Sequence, residues 1–153
     1  MDQGGVRRVQ ARIVRAIMTR EPVTVHPDTT LSQLHRLFET HDFNMFPVVD
    51  DRSVLRGVVT KLDLLKVFQP WSGRIIPDLR AMWAERVKDV MSRGLTSVTP
   101  GEPVAAVLTL MVSRRRRSIP VVRRQIREPV LVGIVSRRDV LRCLSFEDSP
   151  DPD

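Results

Sequence analysis

A hydroxyl residue, two spacers and an aspartate follow a glycine and two apolar residues twice in this chain. The copies are Gly57-Val58-Val59-Thr60-Lys61-Leu62-Asp63 and Gly133-Ile134-Val135-Ser136-Arg137-Arg138-Asp139. The apolar residues read as a strand end and the remainder as the start of a helix. A strand that turns into a helix at Thr60 or Ser136 leaves the first backbone N–H groups without intrahelical partners, and the helix dipole favours negative charge there. That is a seat for a phosphate group. The aspartate three residues on can accept from a diol, in a charge-assisted hydrogen bond stronger than a neutral one. Gly57 and Gly133, lacking a Cβ, let backbone come close to a ligand or make a bulge. The same Ser/Thr-x-x-Asp spacing is also close to a capping box, in which hydroxyl and carboxylate satisfy the helix's own N–H groups. Both readings stand on the residues alone.

The elements that must position these groups are duplicated as well. Val14-Arg15-Ala16-Ile17-Met18 matches Val87-Lys88-Asp89-Val90-Met91, and Phe46-Pro47-Val48-Val49 matches Ile119-Pro120-Val121-Val122, both at an offset of 73 residues. The glycines are 76 apart, so the second copy carries three extra residues before its glycine. Such a repeat implies two similar units packed together. In the first copy Pro22 to Val25 reads as a strand, and Leu31, Leu34, Leu37 and Phe38 give one apolar helix face, with Asp28 or Thr29 as N-cap. Phe46–Val49 and Val54–Val59 then form a hairpin, and Leu62, Leu65 and Val67 mark a closing helix. The order is β-α-β-β-α. The second copy repeats it, with Thr96–Val98 as strand, Pro103 to about Ser113 as helix, Ser118–Val122 and Val130–Val135 as hairpin and Arg137–Leu144 as helix. Pro103 suits a first helical turn. The organisation expected is an arm over 1–13, repeats over 14–68 and 87–144, a linker over 69–86 containing a helix from about Asp78 to Met91, and a disordered acidic tail over 145–153.

At 153 residues the chain is long enough to bury a real core, whereas each repeat alone is marginal. The longest nearly apolar run, Val104 to Val112, falls short of the roughly 20 residues that span a bilayer, and the opening Met-Asp-Gln-Gly-Gly carries no secretory signal. Cys143 is the single cysteine, so no intrachain disulfide forms and a cytoplasmic setting is expected. The net charge of +7 points to anionic partners. His26, His35 and His41 lack metal-ligand spacing, and no nucleophile, base and orienting group form a recognisable motif, so neither a metal site nor catalysis is expected. Trp71 and Trp83 read as seam residues that bury area.

The ordered series of a methionine after an apolar helix, a short strand, a helix, an apolar-Pro-Val-Val strand and Gly-x-x-Thr/Ser-x-x-Asp, twice in register from Val14 to Leu144, resembles the paired CBS domains known as Bateman modules. The resemblance implies an α/β (α+β) fold of two repeats packed about a pseudo-twofold axis, with clefts between them for adenosine-containing ligands such as AMP, ADP, ATP, S-adenosylmethionine, NAD or cyclic dinucleotides. It also implies association into a homodimer. Carried over by position, Thr60 and Ser136 approach phosphate, while Asp63 and Asp139 accept from ribose hydroxyls. Val23 and Thr24, or Thr96 and Ser97, bracket the base with Phe46-Pro47 or Ile119-Pro120.

The run Arg114-Arg115-Arg116-Arg117 reads first as a solvated helix end whose cations complement the dipole. In the implied fold it lies near the clefts, so that Arg117, with Lys61, Arg137 or Arg138, can hold a polyphosphate. The first copy has Thr40-His41-Asp42-Phe43-Asn44 at the matching place, which makes any phosphate grip asymmetric. The function implied is a regulatory module that senses an adenine nucleotide, needs no obligatory cofactor, and acts on a partner protein in trans. The alternatives are a nucleic-acid-binding protein using the basic surface, although interleaved aromatics for base stacking are lacking, and a ligand-free dimerisation scaffold.

Overall fold

Leu31, Leu34 and Phe38, spaced for one helical face, are buried along α2 (Leu31–Thr40) in the computed structural model, which describes residues 12–69, 78–125 and 127–144. In chain order the elements are α1 (Val14–Ile17), β1 (Thr19–Arg20), α2, β2 (Met45–Val49), β3 (Leu55–Thr60), α3 (Lys61–Val67), α4 (Leu79–Ala84), α5 (Val87–Val90), α6 (Val104–Ser113), β4 (Ser118–Gln125), β5 (Glu128–Ser136) and α7 (Arg137–Cys143). The fold is mixed α and β. One sheet has the order β1-β5-β4, the other pairs β2 with β3. The expected arm, the tail and Trp71 lie outside the described residues, apart from Arg12, Ile13 and the ends of the neighbouring segments.

The described chain divides into two compact units, and these do not coincide with the sequence repeats. The first holds residues 12–22, 96–124 and 132–144; the second holds 23–69, 78–95, 125 and 127–131. Helix α1, which leads the first repeat, therefore belongs with the body of the second, and α5, which leads the second, belongs with the body of the first. The backbone bonds are the same in both. In the first unit Val14 donates to Glu102 O (2.9 Å), Arg15 to Pro100 O (2.9 Å) and Val104 to Arg12 O (2.9 Å). In the second unit the partners 73 residues removed do the same: Val87 to Thr29 O (2.8 Å), Lys88 to Pro27 O (2.9 Å) and Leu31 to Glu85 O (2.9 Å).

Each unit has its own core. Val14, Val98, Val104, Val107, Ile119, Val121 and Val135 fill the first, and Leu31, Leu34, Phe46, Val48, Val59 and Val87 the second. Leader helices thus enter through one buried valine each, Val14 and Val87, both fully buried. Removing such a side chain from water stabilises a unit by about 1.5–3 kcal/mol.

Several expectations are corrected. Pro22–Val25 and Thr96–Val98 are not strands but single parallel bridges, Val25 to Val48 and Val98 to Val121. Pro22, Pro27 and Pro100 stand close by without an N–H, which limits each ladder to the bonds around one valine. The helix expected from Asp78 to Met91 is broken at Glu85 and Arg86, which are extended. Backbone pairing of Thr29–Leu31 with Glu85–Val87 replaces helical bonds there. Thr30, not Asp28 or Thr29, caps α2, sharing a capping box with Gln33. Pro103 is the N-cap of α6 rather than a first-turn residue.

In the β2–β3 hairpin, the Asp50 carboxylate accepts from the N–H groups of Arg52 (2.9 Å) and Val54 (3.1 Å), and Ser53 takes φ 62°. The pairs Val48↔Gly57 and Val49↔Leu55 leave Arg56 as an extra residue, so a bulge does sit beside Gly57. The extra length of the second copy falls in its hairpin, where β4 and β5 run to eight and nine residues against five and six in β2 and β3.

Candidate functional site

In the second unit, β3 runs directly into α3, and Thr60 is the N-cap. Asp63 Oδ2 accepts from Thr60 N–H at 2.8 Å, and Thr60 Oγ1 accepts from Asp63 N–H at 3.1 Å. Lys61 N–H donates to Asn44 O at 3.1 Å. In the first unit, Ser136 caps α7 the same way: Asp139 Oδ2 accepts from Ser136 N–H at 2.8 Å and from its hydroxyl at 3.0 Å, and Ser136 Oγ accepts from Asp139 N–H at 3.3 Å. Arg137 N–H donates to Arg117 O at 3.1 Å. Asn44 and Arg117 are 73 residues apart, as the leaders are.

The capping box is therefore present in both copies, and it changes the expected phosphate seat. The N–H groups of the N-cap, N1 and N3 residues are engaged, which leaves only N2, Leu62 in one turn and Arg138 in the other. A phosphate placed here must be gripped by side chains rather than by a ring of backbone donors. Each carboxylate uses Oδ2 for the cap, while Oδ1 accepts nothing from the described residues, and both aspartates are half-buried. Capping and binding are thus compatible, since the cap holds the carboxylate still and leaves one oxygen open.

The glycines serve another end than a ligand's approach. A Cβ on Gly57 would stand 2.6 Å from Ser92 O, and one on Gly133 2.9 Å from Thr19 O, with Met91 and Met18 sulfurs at 3.1 and 3.0 Å. The chain's own backbone fills the space.

Of the residues expected to bracket a base, Phe46 and Ile119 are fully buried in the two cores, and Pro47 and Pro120 are buried beside them. Their carbonyls are engaged too, Pro47 O by Val25 N–H (3.0 Å) and Pro120 O by Val98 N–H (3.1 Å). Phe46, Pro47 and Val48 are three successive buried residues of β2, so both faces of that strand are covered there. Val23 is exposed, and Thr24, Thr96 and Ser97 are half-buried, so those four keep surface for a ligand. Val23, Thr24, Thr60, Lys61 and Asp63 belong to the second unit, and Thr96, Ser97, Arg117, Ser136, Arg137, Arg138 and Asp139 to the first.

Cations around the two copies differ. Lys61 is exposed and lies 6.0 Å from the Phe38 ring centroid. Arg117, Arg137 and Arg138 are exposed, and Arg137 Nε donates to Arg116 O at 3.2 Å. Arg116, not singled out from the sequence, has a buried Nε with no hydrogen-bond partner among the described residues. The signal for it was the offset of 73, which sets it against Phe43.

Elsewhere, His26 Nδ1 accepts from Asp28 N–H (3.0 Å), with Nε2 3.2 Å from Asp51, and His35 Nε2 lies 3.3 Å from Glu39. Among the described residues no three His, Cys, Asp or Glu side chains are grouped to hold a metal, and no helix is long and apolar enough to cross a membrane. Trp83 is half-buried between the rings of Phe68 (4.4 Å) and His35 (5.1 Å). It lines an open groove of 410 Å³ with Thr30, Ser32, His35, Arg80 and Ala84, which includes none of the hydroxyl and carboxylate pairs.

Comparison with known proteins finds the CBS domain family matched twice, over residues 14–70 and 87–145. The chain is 28% identical over 138 residues to an inosine-5'-monophosphate dehydrogenase of Methanocaldococcus jannaschii, covering 90% of this chain but only 25% of that enzyme. Among solved structures it resembles CBSX2 in complex with AMP, with TM-score 0.71, 25% identity and coverage of 86% of this chain and 95% of the other. It also resembles the CBS domain pair of protein MJ0100 in complex with 5'-methylthioadenosine and S-adenosyl-L-methionine, with TM-score 0.69, 25% identity and coverage of 88% and 100%.

Proposed function

Because the chain belongs to the CBS domain family, we propose that it is a regulatory module that binds an adenosine-containing ligand at Thr60/Asp63, Ser136/Asp139 or both. The observation that carries this reading is the duplicated aspartate whose Oδ2 is fixed by a cap while Oδ1 is open. A preset carboxylate oxygen suits a ribose diol, since little rotamer freedom is lost on binding. Thr24 and Ser97 contribute polar edges near the base, and Thr60 and Ser136 stand where the 5' substituent begins. Similar CBS structures hold AMP, 5'-methylthioadenosine and S-adenosyl-L-methionine, which supports an adenosine core with a variable 5' group.

Regulation requires the ligand to prefer one conformation of the module, since equal affinity for both shifts nothing. The partner is a protein acted on in trans or a domain in a longer chain, as in the dehydrogenase of which this chain matches a quarter. A homodimer working in the cytoplasm is the setting we propose, with no catalytic step in the module itself.

The test is thermal stability of the purified protein with AMP, ADP, ATP, NAD, S-adenosylmethionine, 5'-methylthioadenosine and cyclic dinucleotides, beside Asp63→Ala and Asp139→Ala. A ligand at 100 times its Kd adds about 2.7 kcal/mol to stability. Stabilisation abolished by one aspartate variant identifies the site in use. No shift across the panel at millimolar ligand refutes the reading and favours a scaffold.

A further inference from the structure

Resting on the adenosine reading above, we infer that the two sites are chemically unlike: the Ser136/Asp139 site takes a nucleoside di- or triphosphate, its polyphosphate held by Arg116, Arg117, Arg137 and Arg138, whereas the Thr60/Asp63 site takes an adenosine without a polyphosphate. The observations lie on the first unit's own surface. Arg137 is tied to the arginine run by two bonds, its N–H to Arg117 O at 3.1 Å and its Nε to Arg116 O at 3.2 Å. The backbone of Arg116 and Arg117 is thereby held against the turn that carries Ser136 and Asp139, where Arg137 and Arg138 are the first two helical residues.

Among the described residues none of the four has a carboxylate partner. The second unit, by contrast, holds seven ion pairs between described side chains. Arg116 Nε is buried and has no hydrogen-bond acceptor among the described residues. An unpaired buried cationic donor is costly, and an anionic oxygen is the acceptor that relieves it. Backbone donors of the turn are mostly engaged by the cap, so the grip falls to side chains. Arginine suits that task because its planar fork binds phosphate oxygens in pairs.

At the matching positions the second unit is built differently. Arg116 and Arg117 are replaced by Phe43 and Asn44, and Arg137 and Arg138 by Lys61 and Leu62. Phe43 is 45% exposed and stacked on His41 at 5.2 Å, and Leu62 is 59% exposed. Four guanidinium groups at one site face a single ammonium and two apolar side chains at the other. That contrast discriminates by phosphate number.

The experiment is isothermal titration of the full chain with ATP, ADP, AMP and 5'-methylthioadenosine, and with inorganic tripolyphosphate alone. Wild-type protein, Asp63→Ala, Asp139→Ala, the Arg116→Gln/Arg137→Gln pair and Arg138→Gln are compared. Arg138 is exposed and its side chain makes no bond to a described residue, so its variant remains informative if the pair fails to fold. The wild type is expected to bind ATP at least about tenfold more tightly than AMP, the worth of one added charged hydrogen bond. Asp139→Ala removes ATP binding, Asp63→Ala leaves it, and the arginine variants reduce the ATP preference while 5'-methylthioadenosine binding is unchanged. Equal affinity for ATP and AMP overturns the inference with the adenosine reading intact, as does loss of ATP binding in Asp63→Ala. If no adenosine compound binds, the adenosine reading has failed and the inferred ligand fails with it; arginine-dependent tripolyphosphate binding would then leave only the anion grip standing. Single-stranded RNA that displaces ATP at equal phosphate concentration would assign the arginines to nucleic acid instead and overturn the inference.

Discussion

Replacing Gly57 by alanine puts the structural role of the glycine motif to a direct test. The new Cβ would stand 2.6 Å from the carbonyl oxygen of Ser92 and 3.1 Å from the sulfur of Met91. An ordinary carbon–oxygen contact is about 3.3 Å or more, so the two backbones must separate by roughly 0.7 Å. Neighbouring Val58 and Ser92 exchange two backbone bonds, Val58 N–H to Ser92 O at 3.0 Å and Ser92 N–H to Val58 O at 2.9 Å. A displacement of that size carries both beyond good hydrogen-bond length. Each is worth about 1 kcal/mol, and overpacking adds about 1–3 kcal/mol. Alanine restricts the unfolded chain and returns about 0.4–1 kcal/mol. The net expectation is a destabilisation of about 2–4 kcal/mol.

Urea denaturation followed by circular dichroism measures it. With a slope of about 2 kcal/mol/M, the midpoint falls by roughly 1–2 M. Gly133→Ala, whose Cβ would meet Thr19 O at 2.9 Å, should fall less. Gly94→Ala and Gly101→Ala, where nothing lies within 4 Å, should hold or gain slightly. A Gly57→Ala protein as stable as the Gly94→Ala and Gly101→Ala controls would refute the reasoning, for it would mean the Ser92 segment yields without loss. Reduced ligand binding with unchanged stability would instead return Gly57 to a ligand's contact surface.

Thr60→Ala and Ser136→Ala each remove a cap and should cost about 0.5–2 kcal/mol in the ligand-free protein, read as a lowered denaturation midpoint. Val87→Ala opens a cavity in the second unit's core and Val14→Ala in the first, each costing about 1–3 kcal/mol by the same assay, with hydrogen exchange accelerating in that unit first. For Asp50, burial pushes the pKa up, but the Arg56 guanidinium at 2.7 Å and the N–H groups of Val54 and Arg52 outweigh it, so the carboxyl lies below the usual range. A depressed folded pKa gives stability that is present above the unfolded value near ~3.9 and lost as pH falls through the folded one. Arg56→Ala should therefore raise the Asp50 pKa in a carbon-13 titration and make acid unfolding begin at higher pH. Asp28, lowered by its hydrogen bond to Lys88 at 3.0 Å and by that ammonium's charge, should respond to Lys88→Ala in the same direction.

Periodicity carries information about faces, and here the faces were legible. The burial of Leu31, Leu34 and Phe38, the β2–β3 hairpin and the helices beginning at Lys61 and Arg137 all follow from spacing and turn chemistry. Partners are another matter. A short segment such as Pro22–Val25 has a strand's composition, but its ladder ends after one valine because prolines withhold the neighbouring donors. Residues 78–91 have a helix's composition, yet Glu85 and Arg86 are drawn into extended pairing with Thr29–Leu31, a choice made by tertiary contact. The family resemblance sets Phe46 beside a base, while in the structure its ring packs in the second unit's core. Arg116 could not be told from its three neighbours without knowing that its Nε is buried.

The least legible feature is the exchange of leaders, and it bears on how a ligand could act. Each repeat supplies a body with a hydroxyl and carboxylate pair, but the backbone that closes over that body's glycine comes from the other repeat: Ser92 against Gly57 and Thr19 against Gly133. Thr60 and Ser136 lie three residues beyond those glycines on the same strand. A shift of either pair on binding therefore moves a strand whose packing limit is set by the opposite repeat's leader, at a contact too tight for a methyl group. Tight contacts of this kind transmit small displacements rather than absorb them, because packed interiors are poorly compressible. The same limit that should make Gly57→Ala costly would thus give a ligand at the proposed site a route to the leader helix.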